Sequence, residues 1–200
     1  MTTELDAVNH ILRTVGLGLR LATSTVNLHP QAISAQATLL EVSKDVQAEG
    51  HWFNTVTLTL SPNEAGALLL PTDTLSADPV NPLSVLVQRG TKLFDPSGNT
   101  YNIGESVSTC IVSLLPIDEL PHQAASMIKH KAALQHYENR SNDGSKSRAL
   151  SNRLVAAQLA FEKEVLHQAD TNAFQSPTAS RITNRSTSSN ESAIHNTLYQ

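Results

Sequence analysis

The spacing of apolar residues changes twice along this chain, and that change limits the fold more than any other feature. Near both ends of residues 1–170 apolar side chains recur every three or four positions, as on one face of a helix. In the middle they alternate with polar ones, as on one face of a strand. Leu5, Val8, Leu12 and Val15 predict a first helix over about 4–16, capped by Thr2 or Thr3 and ended by Gly16 and Gly18. Ala35, Leu39, Val42 and Val46 predict a second helix over about 31–49, with Gly50 in the position of a C-terminal cap. Ala124, Met127, Ile128, Lys131 and Leu134 mark a third, over about 119–138, with Asp118, Glu119 and Pro121 at its start. Leu150, Leu154, Ala157, Phe161 and Val165 mark a fourth, over about 146–168.

Between the second and third helices, at about 53–116, the pattern is that of strands. Val56, Leu58 and Leu60 alternate with threonines. Pro62, Asn63 and Gly66 break that run, and the short apolar stretch Ala67 to Leu70 is followed by a Pro/Asp-rich loop reaching Pro82. Strands are expected at Ser84 to Gln88, Lys92 to Phe94 and Thr109 to Leu115, with a tight turn at Arg89-Gly90. The expected fold is therefore α+β, mainly α. It comprises a four-helix bundle-like core, a β-hairpin/sheet insertion between helices 2 and 3, and an extended C-terminal arm. Residues 1–170 form one domain. In the arm, 171–200, the periodicity stops: Ser, Thr and Asn supply 15 of residues 170–200, too little apolar surface for a core. The arm is expected to order only on a partner.

Aromatic residues are only 4% of the chain, so the core must be made of Leu, Val, Ile and Ala. The net charge of −4 argues against a dedicated nucleic-acid binder, while leaving a surface that DNA could slide past. Cys110 is the only cysteine, which excludes an internal disulfide and a multi-cysteine zinc site. Its apolar strand suggests a small buried side chain. The opening Met1-Thr2-Thr3-Glu4 lacks the pattern of a signal peptide, and no apolar run approaches the ~18 residues of a membrane span. Synthesis and assembly in a cytoplasm are expected.

No phosphate-cradling glycine loop, nucleophile elbow or dinucleotide fingerprint occurs. His122, His130 and His136 share the third helix, but not at the separation of three or four that metal-ligand pairs on one helical face need. No metal, cofactor or catalytic residue is therefore assigned. Asp118 and Glu119 are adjacent, which suits a helix start better than paired acid/base work. Lys129-His130-Lys131 in the third helix and Arg181 with Arg185 in the arm are the densest basic clusters. Trp52 reads as a packing anchor between helices and insertion.

Four stretches carry a family resemblance. They are Glu4-Leu5-Asp6-Ala7-Val8-Asn9-His10-Ile11-Leu12, Gly50-His51-Trp52-Phe53-Asn54, Val87-Gln88-Arg89-Gly90-Thr91-Lys92-Leu93-Phe94-Asp95, and Asp118-Glu119-Leu120-Pro121. In order and spacing, over roughly residues 4–170, the chain resembles tail tubular protein A of short-tailed bacteriophages. The resemblance implies a structural, non-enzymatic virion protein at the head–tail junction, made in the host cytoplasm. It implies a twelve-subunit ring that joins the portal to the tail nozzle and contacts genomic DNA only transiently and without sequence preference. Arg89, Gly90, Lys92, Arg181 and Arg185 are the candidate partner contacts. Two other readings stay open: a virion-associated cell-wall hydrolase drawing on Asp118 and Glu119, and a nucleic-acid-binding module.

Overall fold

The computed structural model describes residues 3–17, 29–141 and 143–174, with side chains described as far as residue 169. The chain divides into two compact units, Met1–Gln158 and Leu159–Gln200. The second contributes only a helical segment to the described residues, so the architecture below is that of the first.

Helix α1 spans Glu4–Thr14. The Thr3 hydroxyl accepts from the Asp6 amide while the Asp6 carboxylate accepts from the Thr3 amide, so two otherwise orphaned donors are satisfied reciprocally. Ala7, Val8, Ile11 and Leu12 are its buried face. Helix α2, Pro30–Ala48, starts with proline where no amide donor is needed, and His29 Nδ1 accepts from the Gln31 amide. All four residues of its expected stripe are buried. Gly50 follows with φ +74, and a Cβ added there would stand 3.2 Å from Val112 Cγ2.

Five strands lie between α2 and the next α-helix: β1 (Thr55–Leu60), β2 (Thr74–Pro79), β3 (Val87–Arg89), β4 (Lys92–Phe94) and β5 (Val107–Ser113). β5 is the centre of an antiparallel sheet ordered β1-β5-β2, pairing Val56 and Ala77 with Ile111 from its two sides. β3 and β4 form a separate hairpin. Leu60, Leu68, Leu70, Ala77, Leu93 and Ile111 build a second core beneath the sheet, distinct from the helical one.

A 3-10 turn, Ile117–Glu119, leads through Leu120 and Pro121 into α3, His122–Glu138, and α4 runs from Gly144 to Phe174. The third helix thus starts later than expected. Asp118 and Glu119 sit in the 3-10 turn, and α3 has no side-chain cap at its N-terminus. Pro121 accounts for the break, because the residue before a proline is pushed out of helical backbone. α4 also outlasts the expected end near 168 by six residues, and residues 175–200 of the expected arm lie outside the described ones.

Three helices of the expected four-helix bundle pack against one another pairwise: α1 on α2, α1 on α3, and α2 on α3. In its first half α4 buries Leu150 but leaves Leu154 and Ala157 half-exposed. Ser147 there donates to Glu138 and Lys146 lies over the Tyr137 ring, tying the start of α4 to the end of α3.

β2 falls where the loop was expected. Only Ala77 of Thr74–Pro79 is fully buried, and a proline ends the strand, so neither alternation nor composition marks it. Cys110 is half-buried rather than buried, because it points to the face of β5 opposite Ile111. Trp52 is 43% exposed, with its ring edge against Phe53, and does not anchor the two parts of the fold. Asn54 does that work. Its Nδ2 donates to the carbonyls of Gln47 and Ser113, and its Oδ1 accepts from the His51 amide.

Candidate functional site

The hairpin expected at Arg89-Gly90 is present, with Gly90 and Thr91 as its two-residue loop. Gly90 has φ +60 and open space where a Cβ would be, so its backbone conformation, not crowding, calls for glycine. Arg89 and Lys92 are cross-strand partners, and like charges placed so close repel. Aromatic faces take up both: the Arg89 guanidinium lies 3.6 Å from the Phe94 ring centroid and the Lys92 ammonium 5.9 Å from that of Tyr101. Phe94 and Tyr101 meet edge to face at 5.0 Å. Leu93 is buried, and its amide donates to the carbonyl of Leu68, fixing the hairpin to the β core. The result is a basic, aromatic-backed hairpin whose loop is tied to the 68–70 segment, where the Thr91 carbonyl accepts from the Leu70 amide.

Beside it the segment from Val80 to Val87 shows apolar side chains to solvent. Leu83 is 87% exposed, and Val80, Val85 and Val87 are exposed as well. Val80, Leu83 and Val85 border a groove of about 660 Å³ that Asp95 and Glu105 also line. A second uncovered apolar surface lies on the sheet edge. Val56 and Leu58 of β1 are 47% and 41% exposed, although they point to the same side as buried Leu60. The alternation of Val56, Leu58 and Leu60 predicts a half-buried strand, but periodicity reports which face is apolar and not whether anything covers it.

The remaining candidates are scattered. Asp118 and Glu119 are exposed in the 3-10 turn. His136 is buried against Thr38 Oγ1 at 3.3 Å, His130 meets His10 edge-on, and His122 is exposed at the start of α3. No group of three metal-ligating side chains occurs among the described residues. No helix there is long and apolar enough to cross a membrane. Arg181 and Arg185 lie outside the described residues.

A basic hairpin, an apolar groove and an uncovered sheet edge are features of a protein that works through its surfaces, a structural component of an assembly. The chain belongs to the tail tubular protein family, whose model matches residues 5–181. It is similar to tail tubular protein A of Klebsiella phage KP34, with 27% identity over 136 residues that cover 68% of this chain and 72% of that protein. It is therefore a structural phage tail protein of the virion.

Proposed function

We propose that this protein is the ring-forming adaptor that joins the portal to the tail nozzle at the head–tail junction and forms part of the DNA-ejection channel. The observation that carries this reading is the pair of uncovered apolar surfaces in different parts of one subunit, the 80–87 segment and the β1 edge. A closed ring is built from head-to-tail contacts, and each subunit must present two unlike surfaces to its neighbours. The ring has twelve subunits. The hairpin tip with Arg89, Gly90 and Lys92 is a contact to a protein partner, and so is the arm 171–200 with Arg181 and Arg185. The acidic balance of the chain, 18 Asp and Glu against 14 Lys and Arg, lets DNA pass without being held. The subunit is made in the host cytoplasm, needs no cofactor and catalyses nothing.

The test is native mass measurement and electron microscopy of the full chain, alone and with portal rings. Twelve-fold particles are expected, at the latest when portal is present. A chain that stays monomeric and ignores portal rings overturns the proposal.

A further inference from the structure

Away from the hairpin, positive charge gathers at one corner of the helical unit. The last turns of α1 bring His10 and Arg13, and the first half of α4 brings Lys146 and Arg153. They line a cavity of about 270 Å³ with Leu150 on its apolar side and no Asp or Glu in its wall. Lys129 and His130 of α3 stand next to His10, whose ring meets His130 edge-on at 5.0 Å between centroids. His10 Nε2 is buried and has no hydrogen-bond partner among the described residues.

Among the described residues none of these charges is neutralised. Arg13 donates to the Asn9 carbonyl and Lys146 lies 5.2 Å from the Tyr137 ring centroid, which satisfies donors without adding negative charge. No carboxylate pairs with Arg13, Lys146 or Arg153 among the described residues. The sequence from 18 to 28, which follows α1, holds Arg20 and no acid. In a chain of net charge −4, such a cluster sets several cations against one another with nothing between them.

We propose that this corner is a phosphate-binding site. Two guanidinium forks suit the paired oxygens of a tetrahedral oxyanion, and Lys146 adds a point charge. A carboxylate brings one negative charge, whereas a phosphate with a free end brings about 1.5 to 2 at neutral pH, closer to the charge assembled here. Once the anion is in place the local field reverses, and His10 takes up a proton. The charges that face His10 are Arg13 from α1, Lys129 and His130 from α3, and Arg153 from α4. All are cationic or neutral, so among the described residues none supplies the opposite sign, and the incoming anion does. The site stands apart from the ring reading, and either can fail without the other.

The test is calorimetric titration of the full chain with inorganic phosphate at constant ionic strength. Saturable binding to one site is expected. Arg153→Gln and Arg13→Gln should each weaken it about tenfold, while Lys44→Gln on the exposed side of α2 should leave it unchanged. The wild-type heat should vary with the ionisation enthalpy of the buffer, reporting proton uptake, and that dependence should vanish in His10→Gln. Proton NMR of the unmutated chain gives a readout that needs no variant: the His10 ring resonance should move toward its protonated position with phosphate and not with acetate. Competition by a DNA duplex that lacks terminal phosphates would identify the source as the nucleic-acid backbone, and its absence would identify free or terminal phosphate. Either result supports the site. The proposal is overturned by a titration that does not saturate, by acetate binding as tightly as phosphate, or by unchanged affinity in the folded Arg13→Gln/Arg153→Gln double variant.

Discussion

Gln47 is buried on the inner side of α2, and its amide meets the backbone of Leu115 twice. It donates to the carbonyl at 2.9 Å and accepts from the N–H at 2.8 Å. Gln47→Leu would keep the volume and leave both backbone groups unpaired in a dry place. The expected cost is about 2–4 kcal/mol, read as a lower midpoint in urea. Asn54→Ala should cost a similar amount. The double variant should cost less than the sum, because both amides close the same junction. A second residue-scale effect is titration. Burial, then His130, Lys129, Arg13 and Arg153, push His10 down from 6.5 to about 4. His130 is lowered by burial and then by Lys129 and Arg153, and His136 by burial and then by Arg140. The unfolded chain binds more protons than the folded one through this range. Stability is therefore full above about 6.5 and is lost as the pH falls toward 4. His10 alone accounts for about 1 kcal/mol once solvent screening of a half-exposed ring is discounted. Melting temperature measured from pH 7 to pH 4.5 should fall, and His10→Gln should flatten part of that fall.

At the scale of elements, the two informative glycines separate two kinds of constraint. Gly90→Ala meets only the backbone penalty of a left-handed conformation, about 1 kcal/mol. It should loosen the β3–β4 hairpin locally, seen as faster hydrogen exchange at the Leu93 amide with the rest of the chain unchanged. Gly50→Ala adds crowding against Val112 to the same penalty. It should lower the global melting temperature, because it sits where α2 hands over to the sheet. These elements differ in how far the sequence showed them. α2 was legible because its apolar stripe, Ala35 to Val46, repeats for about three turns ahead of a terminal glycine. The hairpin was legible because Arg89-Gly90 sits between two short apolar runs. β2 was not, since an edge strand ending in Pro79 with one fully buried side chain has no pattern to show. The start of α3 was misplaced because adjacent acids suit a 3-10 turn as well as an α-helix N-terminus.

For the whole molecule, the uncovered apolar surface separates folding from assembly. Leu83→Asp with Val85→Asp should leave the unfolding free energy of the isolated chain within about 0.5 kcal/mol, read as a nearly unchanged urea midpoint, and should abolish the proposed ring formation on the portal. Loss of folding instead would mean that the segment is core. The candidate sites were the least legible part of the chain. Arg89 and Lys92 stood out because they are neighbours in sequence. Arg13, Lys146 and Arg153 did not, because only the approach of α4 to the end of α1 brings them to one cavity. Val56 belongs to an alternating run that reads as half-buried, and it is exposed because a side chain carries no mark of what covers it. The central place of β5 has a consequence for synthesis. β1 and β2 are not ladder neighbours, and each pairs with β5, the last strand to be made. A ribosome adding roughly 5–20 residues per second holds β1 with two open edges for several seconds before β5 is complete. Thr55–Leu60 carries no charge and no proline, so nothing in the strand itself blunts those open edges while the partner strand is being made.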